Sequence, residues 1–463
     1  MTSTIPHQLT SSTDRAAQLL PELAVPAAAP AATAPAATPA GTPQGLTSAA
    51  VVGLGYVGLP TALALHRSGV AVRGVDVSQR RLDAVRSGQV DLLPAELAAL
   101  SAALTSDDFT VGDDPTAIAE VDAVIICVPT PVDEHLSPDL AALAAACRAV
   151  VDWSHPGQLL VLTSTTYVGS TRDLLVAPLA TERGLVAGRD VHVAFSPERI
   201  DPGVAEHEQG RTPRVVGGVT AECTRRAVDL VSRLTSSVHA VSSAEAAEMT
   251  KLYENTFRAV VLALANEVAG ICRTLDLDAV EVTDAAATKP YGFLATYPGP
   301  GVGGHCIPCD PHYLLWQMRS HRTPTPLIEQ AMTSIAHRPH EVVARAVEVL
   351  SDLGRGLAGA RVLVVGVSYK PGVRDVRETP ALEIVRGLEQ RGAVVAYHDP
   401  LVPELRLPDG RVLASAVDAP QEPWDLVLLH TVHPGADLTW VSQHPVVLDA
   451  TYRFAAAPQR HVV

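Results

Sequence analysis

The stretch Ala49-Ala50-Val51-Val52-Gly53-Leu54-Gly55-Tyr56-Val57-Gly58 decides how the rest of the chain is read. A short apolar run leads into three spaced glycines, and a helical pattern follows from Thr61 to Ser68. The order is strand, glycine turn, helix. Gly53 permits the turn, Gly55 lets backbone amides approach a pyrophosphate, and Gly58 lets the helix pack close to the strand. A second apolar strand, Val70 to Val75, ends in Asp76, about twenty residues downstream, where a carboxylate would accept adenosine ribose hydroxyls. That acid favours NAD over NADP by repelling a 2′-phosphate, although Arg81 nearby is a residue that can accommodate one.

Outward from this turn, Ala123 to Val128 reads as a strand ending in Pro129-Thr130-Pro131. A helix is expected from about Asp139, then a strand at Leu159 to Leu162 ending in Ser164-Thr165-Thr166. In an open parallel sheet the ligand lies beyond the carboxyl ends of the strands, which directs attention to Thr130 and Thr165; turn and N-cap chemistry would use the same residues. Val191 to Phe195 leads into Ser196-Pro197-Glu198-Arg199, a carboxylate and a cation at a further strand end. From Ala244 to Cys272 the pattern changes to a long helix. On it Lys251, Asn255 and Arg258 are spaced to share one face, so that a cation and an amide would enter one site and steady an oxyanion. A wet helix face would look similar.

The run Gly299 to Pro311, GPGVGGHCIPCDP, places the thiol of Cys306 among glycines with Asp310 four residues on. Gly301, Gly303 and Gly304 carry no side chain to block close approach, Cys306 can form a thio-adduct, and Asp310 can orient a water or act as base. Cys306 and Cys309 also form C-x-x-C, but no second pair completes a zinc site, so no metal is expected. After a helical stretch at about Pro326 to Ser351 the chain starts again. Strand Arg361 to Val365, a degraded glycine turn Gly366 to Lys370, a helix from Pro380 to Arg391, and strands at Val394 to Tyr397, Leu426 to Leu429 and Val446 to Leu448 predict a second doubly wound domain. Its loop Tyr369 to Glu378 concentrates positive charge at a helix start and suits a diphosphate.

The chain has 463 residues, enough for two or three domains and a sizeable core, and a formal charge of −15, which argues against a nucleic-acid or anionic-membrane surface. Six cysteines show no disulfide spacing. The first 46 residues, rich in Ala, Pro and Thr, are read as a disordered tail without signal-peptide or transit-peptide character. No apolar stretch would span a membrane, so the cytoplasm is the expected location. The expected domains are residues 47–240 for the dinucleotide, 241–350 for a central helical region with the cysteine, and 351–463 for a second Rossmann-like domain, to which the resemblance set out next adds dimerisation by the central region and a UDP-sugar on the last. The fold class is α/β, with two Rossmann-like domains joined by a long helix.

Several separated motifs, GLGYVGLP, VPTP, STTY, SPERIDPG, KLYENTFR, ALANE, PGPGVGGHCIPCDP and the loop from Tyr369-Lys370 to Arg377-Glu378, stand in one order from about Leu46 to the C-terminus. In this the chain resembles the UDP-glucose/GDP-mannose dehydrogenase family, and ATKPYGF followed by YPGPGVGGHCIP is most similar to its bacterial UDP-N-acetylglucosamine 6-dehydrogenase branch. The resemblance implies a four-electron oxidation of the sugar C6 alcohol to a carboxylate with two NAD molecules, through a thiohemiacetal and a thioester on Cys306. It implies that Gly53, Leu54, Gly55, Tyr56, Val57, Gly58, Asp76, Arg81, Pro129, Thr130, Thr165 and Arg377 touch NAD. Glu198, Arg199, Lys251, Asn255, Arg258, Tyr297, Gly301, Gly303, Tyr369 and Lys370 would hold the UDP-sugar. Lys251 and Asn255 would stabilise the negative oxygen, and Glu198, Asp310 and Thr165 would move protons or place water. The long helix would also form a homodimer interface. Val168 stands where relatives usually have proline, Val261 where they have asparagine, and Cys309 is additional, which suggests trapping of Cys306 as a disulfide under oxidation. Against this stand a non-catalytic nucleotide-sugar-binding protein and a single-step alcohol dehydrogenase, which differ in NADH yield per sugar.

Overall fold

The computed structural model describes residues 45–199, 210–304, 306–454 and 460–463. The Ala/Pro-rich tail expected over the first 46 residues falls almost wholly outside them.

Eight strands form the first sheet: β1 (Ser48–Val52), β2 (Ala71–Val75), β3 (Phe109–Gly112), β4 (Ala123–Ile126), β5 (Leu159–Leu162), β6 (His192–Phe195), β7 (Arg214–Gly218) and β8 (Val238–Val241). Their order is β3-β2-β1-β4-β5-β6-β7-β8. The first six run parallel, and β7 joins β6 antiparallel, so β7 and β8 point the other way. Strands β4 and β5, AVII and LLVL, are buried along their whole length because apolar layers cover both faces of the sheet. The order 3-2-1-4-5-6 leaves a crevice where the chain reverses direction between β1 and β4, and the glycine turn opens there.

The second sheet has β9 (Arg361–Val365), β10 (Val394–His398), β13 (Leu426–Leu429), β14 (Val447–Asp449) and β15 (Arg460–Val462) in the order β10-β9-β13-β14-β15, all parallel. A small hairpin, β11 (Glu404–Arg406) with β12 (Val412–Ala414), sits beside it. Two Rossmann-like sheets thus appear where two glycine turns predict them. Strands β3, β7, β8 and the hairpin had no period-2 signal strong enough to find from sequence.

Between the sheets run long helices. Helix Ala244–Thr274 has 31 residues, about 46 Å at 1.5 Å per residue. It starts where the Ser243 side chain accepts from the Ala246 amide at 3.1 Å, with Glu245 in its first turn and Arg273 in its last to meet the helix dipole. Helix Pro326–Asp352 follows, and both pack into the core under the second sheet through Ala269, Cys272, Val342 and Val343. The Gly299 to Pro311 run is only partly a loop: Cys306 begins a helix, Cys306–Ser320, that contains Pro308 and Pro311. In the first turn a proline removes an amide that has no intrahelical partner anyway, so Pro308 is tolerated.

Among the described residues no helix is long and apolar enough to cross a membrane.

Candidate active site

The glycine turn is built by backbone crowding on one side and openness on the other. Gly53 has φ +91°, and a Cβ there would lie 2.5 Å from the Cys127 carbonyl oxygen; at Gly58 it would lie 1.7 Å from the Gly53 oxygen. At Gly55 it would meet nothing within 4 Å. The two outer glycines are therefore required by the protein's own packing, and the middle one faces open space. Asp76 stands at the end of β2 with Oδ2 accepting the Leu54 amide at 2.8 Å and Oδ1 the Ser78 amide at 2.9 Å, while the Arg81 Nε donates to the Leu54 carbonyl at 2.6 Å. Asp76 remains partly exposed, so an open glycine cradle at the start of helix Gly58–Arg67 and a carboxylate at the next strand end together fit a dinucleotide. Tyr56 and Val57 complete the turn, and the Arg377 guanidinium from the second domain's loop lies 4.5 Å from the centre of the Tyr56 ring.

The loops after β4 and β5 are tied to each other. The Ser164 hydroxyl accepts from the Val128 amide at 2.9 Å and donates to the Val128 carbonyl at 2.7 Å. Thr130 is buried beside exposed Pro129, and its carbonyl accepts from the Tyr313 hydroxyl at 3.1 Å; Thr165 is partly exposed at the other loop. Further along, the Gln317 side chain brackets Val168, accepting its amide at 3.1 Å and donating to its carbonyl at 2.7 Å. A proline at 168 would lack that amide. Glu248, fully buried, accepts from the Gly169 amide at 2.6 Å, the Thr171 amide at 2.9 Å and the hydroxyls of Ser170 and Thr171 at 3.0 and 2.6 Å. Burial pushes its carboxyl above the ordinary value despite these bonds. Neither Glu248 nor Gln317 was predicted, because their partners lie 79 and 149 positions away.

Lys251 and Asn255 are buried on the long helix and point to one place. Asn255 Nδ2 donates to Asp310 Oδ2 at 2.5 Å, and Lys251 Nζ donates to the Glu198 carbonyl at 2.8 Å. Arg258 does not share their burial. It is exposed, although the seven-residue step from Lys251 returns to within about 20° of the same face, and its charge still reaches the Cys306 thiol. Asp310 is 1 % exposed and its carboxyl is pushed up to about 6; desolvation raises it, and the Lys251 charge and the Asn255 bond oppose that rise.

Cys306 is exposed, yet the protein around its sulfur still displaces enough water to raise the thiol above its ordinary value. The Asp310 charge adds to that rise, while Lys251, Arg377 and Arg258 pull it back. The thiol thus stands beside a carboxyl one helical turn away that titrates near 6. Cys309 is 5 % exposed and burial pushes its thiol up to about 12. A thiol so buried and so basic behaves as packing, and the trapping disulfide is not carried further.

Other expected residues have partners that change how they are read. The Glu198 carboxylate is held in a buried ion pair with Arg214 and accepts from the Arg199 amide at 2.8 Å, so its carbonyl, not its carboxylate, meets Lys251. Arg199 pairs with Glu254. The Tyr297 hydroxyl donates to Asp284 at 2.7 Å, 13 positions back. Gly301 and Gly303 do not open space for a ligand. A Cβ at Gly301 would lie 2.8 Å from Pro380, and one at Gly303 2.6 Å from the Glu378 oxygen and 2.8 Å from the Tyr369 side chain. The Gly304 amide donates to the Arg377 carbonyl at 3.0 Å. The same loop is held at Gly299, whose amide donates to Asn266 at 2.9 Å and whose carbonyl accepts from buried Arg338 at 2.9 Å. The glycines thus seat the Cys306 loop against the second domain's Tyr369 to Pro380 segment, where Lys370 lies 5.8 Å from the centre of the Tyr369 ring. The 200–203 part of SPERIDPG lies outside the described residues.

Residues 47–235 match the NAD binding domain of the UDP-glucose/GDP-mannose dehydrogenase family, residues 245–334 its central domain and residues 363–454 its UDP binding domain. The chain is 35% identical to UDP-N-acetyl-D-glucosamine 6-dehydrogenase of Pseudomonas aeruginosa over 356 residues, covering 76% of this chain and 82% of that one. It is 32% identical to UDP-N-acetyl-D-mannosamine dehydrogenase of Escherichia coli K12 over 351 residues, covering 74% and 82%. Among solved structures, the UDP-N-acetylmannosamine dehydrogenase of Pyrococcus horikoshii superposes with a TM-score of 0.82 at 29% identity, covering 90% of this chain and 98% of that one.

Proposed function

That the chain belongs to the UDP-glucose/GDP-mannose dehydrogenase family is the premise from which we propose its reaction: oxidation of the C6 alcohol of a UDP-N-acetylhexosamine to the uronic acid, through a thioester on Cys306. It is an NAD-dependent oxidoreductase acting on UDP-sugars. The observation that carries the finer reading is the buried Lys251–Asn255–Asp310 cluster next to an exposed thiol at a helix start.

NAD, when bound by Gly53 to Gly58 with Asp76 at its ribose, supplies the hydride acceptor for each of two oxidations. Lys251 and Asn255 stabilise the negative oxygen at C6. Asp310, titrating near 6, takes the proton that leaves the C6 hydroxyl through a water that Thr165 helps to place. Asp310 passes that proton on to solvent. Cys306 Sγ then bonds to the aldehyde carbon as the thiol proton moves to the aldehyde oxygen, and Asp310 takes the proton released when this adduct is oxidised and again gives it to solvent. The carbon stays on sulfur as a thiohemiacetal and then as a thioester. Water activated by Asp310 attacks that carbonyl, the C–S bond breaks, and the acid leaves with Cys306 again a thiol. Tyr369 and Lys370 hold the diphosphate end. Glu198 supports Lys251 through its carbonyl, with Arg214 fixing its side chain, and so acts as a positioning residue.

The first sugar to test is UDP-N-acetylglucosamine, on the 35% identity to an enzyme so named. UDP-N-acetylmannosamine is the second reading, favoured by the TM-score of 0.82 to a dehydrogenase of that sugar, and UDP-glucose is the third. We take residues 47–240, 241–350 and 351–463 as the NAD, central and UDP-sugar modules. A homodimer through the long helix is supported by exposed Met249, Tyr253, Phe257, Leu264 and Ile271 along it. Six free thiols suit the cytoplasm.

The test is NADH formed per mole of limiting sugar, with Cys306→Ser as control. Two NADH per sugar, abolished by serine, is the expected result. One NADH with an unaffected variant would overturn the thioester, and none with any of the three sugars would favour a binding protein.

A further inference from the structure

His433 is buried, 5 % exposed, in the loop after β13, outside the groups the reaction uses. Its ring joins two other loops. Nε2 lies 3.1 Å from Asp399 at the end of β10, and Nδ1 accepts the Gly372 amide at 3.1 Å. Because an amide can only donate, Nδ1 is the unprotonated nitrogen, and the ring's single proton sits on Nε2 facing the carboxylate. One neutral tautomer therefore ties the strand-end acid to the turn that follows Tyr369-Lys370-Pro371.

The turn is held from a second side. The Thr431 hydroxyl donates to the Ser368 carbonyl at 2.7 Å, and the Ser368 hydroxyl donates to the Lys370 carbonyl at 2.9 Å. Asp399, 2 % exposed, accepts from the amides of Val367, Leu401 and Val402 at 2.7, 2.8 and 3.1 Å, so it is a fixed post. Gly372, at φ +78°, is exposed, and a Cβ there would meet nothing within 4 Å, so its amide bond to His433 is a tie that fixes it. Behind His433 lies a cavity of about 290 Å³ lined also by Val365, His398, Thr431 and Trp440. The ring is held by polar ties at both of its nitrogens.

We infer that Asp399 and His433 form a positioning pair for UDP-sugar binding: they hold the Tyr369–Lys370 turn in the geometry that presents Lys370 to the diphosphate. The inference rests on the proposed role of Lys370. A loosened turn weakens ground-state and transition-state binding alike, so the effect falls on KM and not on kcat. The first sheet, which carries the cofactor turn, makes none of these contacts.

The test uses the full-length protein with UDP itself as the binding probe, and steady-state kinetics on whichever of the three sugars is turned over. His433→Phe keeps the ring volume and loses both bonds; His433→Gln keeps one donor and one acceptor. For His433→Phe the dissociation constant of UDP is expected to rise about tenfold, the loss of one to two buried hydrogen bonds. KM for the sugar should rise in parallel, with kcat and NAD affinity within about twofold of the parent, and His433→Gln should recover most of the loss. Lys370→Ala is the second arm. If it leaves UDP binding unchanged, the diphosphate role fails and the inference with it. If Lys370→Ala weakens UDP binding but His433→Phe does not, the positioning pair alone is wrong. Equal loss of UDP and NAD affinity, or no recovery with glutamine, would mean that His433 only packs, and would also overturn it.

Discussion

Gly53 in the first sheet and Gly366 in the second do the same job, and the carboxylates they face do different ones. Both glycines have positive φ, +91° and +75°, and both back onto the carbonyl oxygen of the segment after the neighbouring strand, Cys127 at 2.5 Å and Thr431 at 1.9 Å from an added Cβ. Each following amide donates to an acid at the end of the next strand, Leu54 to Asp76 at 2.8 Å and Val367 to Asp399 at 2.7 Å. There the likeness stops. Asp76 keeps an open side. Asp399 is enclosed, with a histidine against it. The turn itself is a backbone requirement that two domains can share, whereas the ligand each takes is decided by what covers the acid.

The sharpest way to break this comparison is at the glycines. Gly58→Ala and Gly366→Ala each push a Cβ to within 1.7 to 1.9 Å of a backbone oxygen, where no flexible side chain can yield. Each is expected to cost about 3 kcal/mol or more of stability, seen as a fall in Tm; an unchanged Tm in either would show that the turn is not as crowded as described. Next come the acids. Asp399→Ala leaves buried amides without an acceptor and should lower stability by about 2–3 kcal/mol in urea unfolding. Asp76→Ala should instead raise KM for NAD about tenfold or more, and should cost less stability than Asp399→Ala because it frees two amides at a partly exposed site and not three at an enclosed one. Similar profiles for the two variants would erase the distinction drawn between the sheets.

Asp310 gives a pH test. Its carboxyl is raised to about 6 in the folded protein, above its unfolded value, so folding favours the protonated form and the ionised form is destabilising. The penalty is absent at pH 3.5, grows from about pH 4 to 6, and is complete above. Asp310→Asn should therefore raise Tm at pH 8 and leave it little changed at pH 4, while abolishing most turnover. In the parent, activity should rise with pH through about 6 as the base ionises; a profile flat from pH 5 to 7 would count against the assignment. The smallest effect is expected from Val168→Pro, which removes one hydrogen bond to Gln317 and keeps the other: less than about 1 kcal/mol by thermal melting.

What was legible in the sequence follows from range. The glycine turns, β1, β5 and β9 and the long helix rest on residues adjacent in the chain, and motif order brought Cys306, Lys251, Asn255 and Asp310 into one list. Contacts between distant segments left no local mark. Nothing near Glu248 says that it will hold the loop at 169–171, and nothing near His433 points to Gly372, 61 positions away. The helix at Cys306–Ser320 is equally hard to see in the sequence, because it holds Pro308 in its first turn and Pro311 within it.

The seating of Gly301, Gly303 and Gly304 against Tyr369, Glu378 and Pro380 means that the segment leading into Cys306 takes its shape from the domain at the other end of the chain. The two stretches are one part made in two pieces. A chimaera that exchanged only residues 351–463 for those of a relative would put a foreign mould under the thiol loop. Residues 299–304 and 369–380 would have to travel together as a single cassette, and substrate range is best engineered with that pair treated as one inheritable unit.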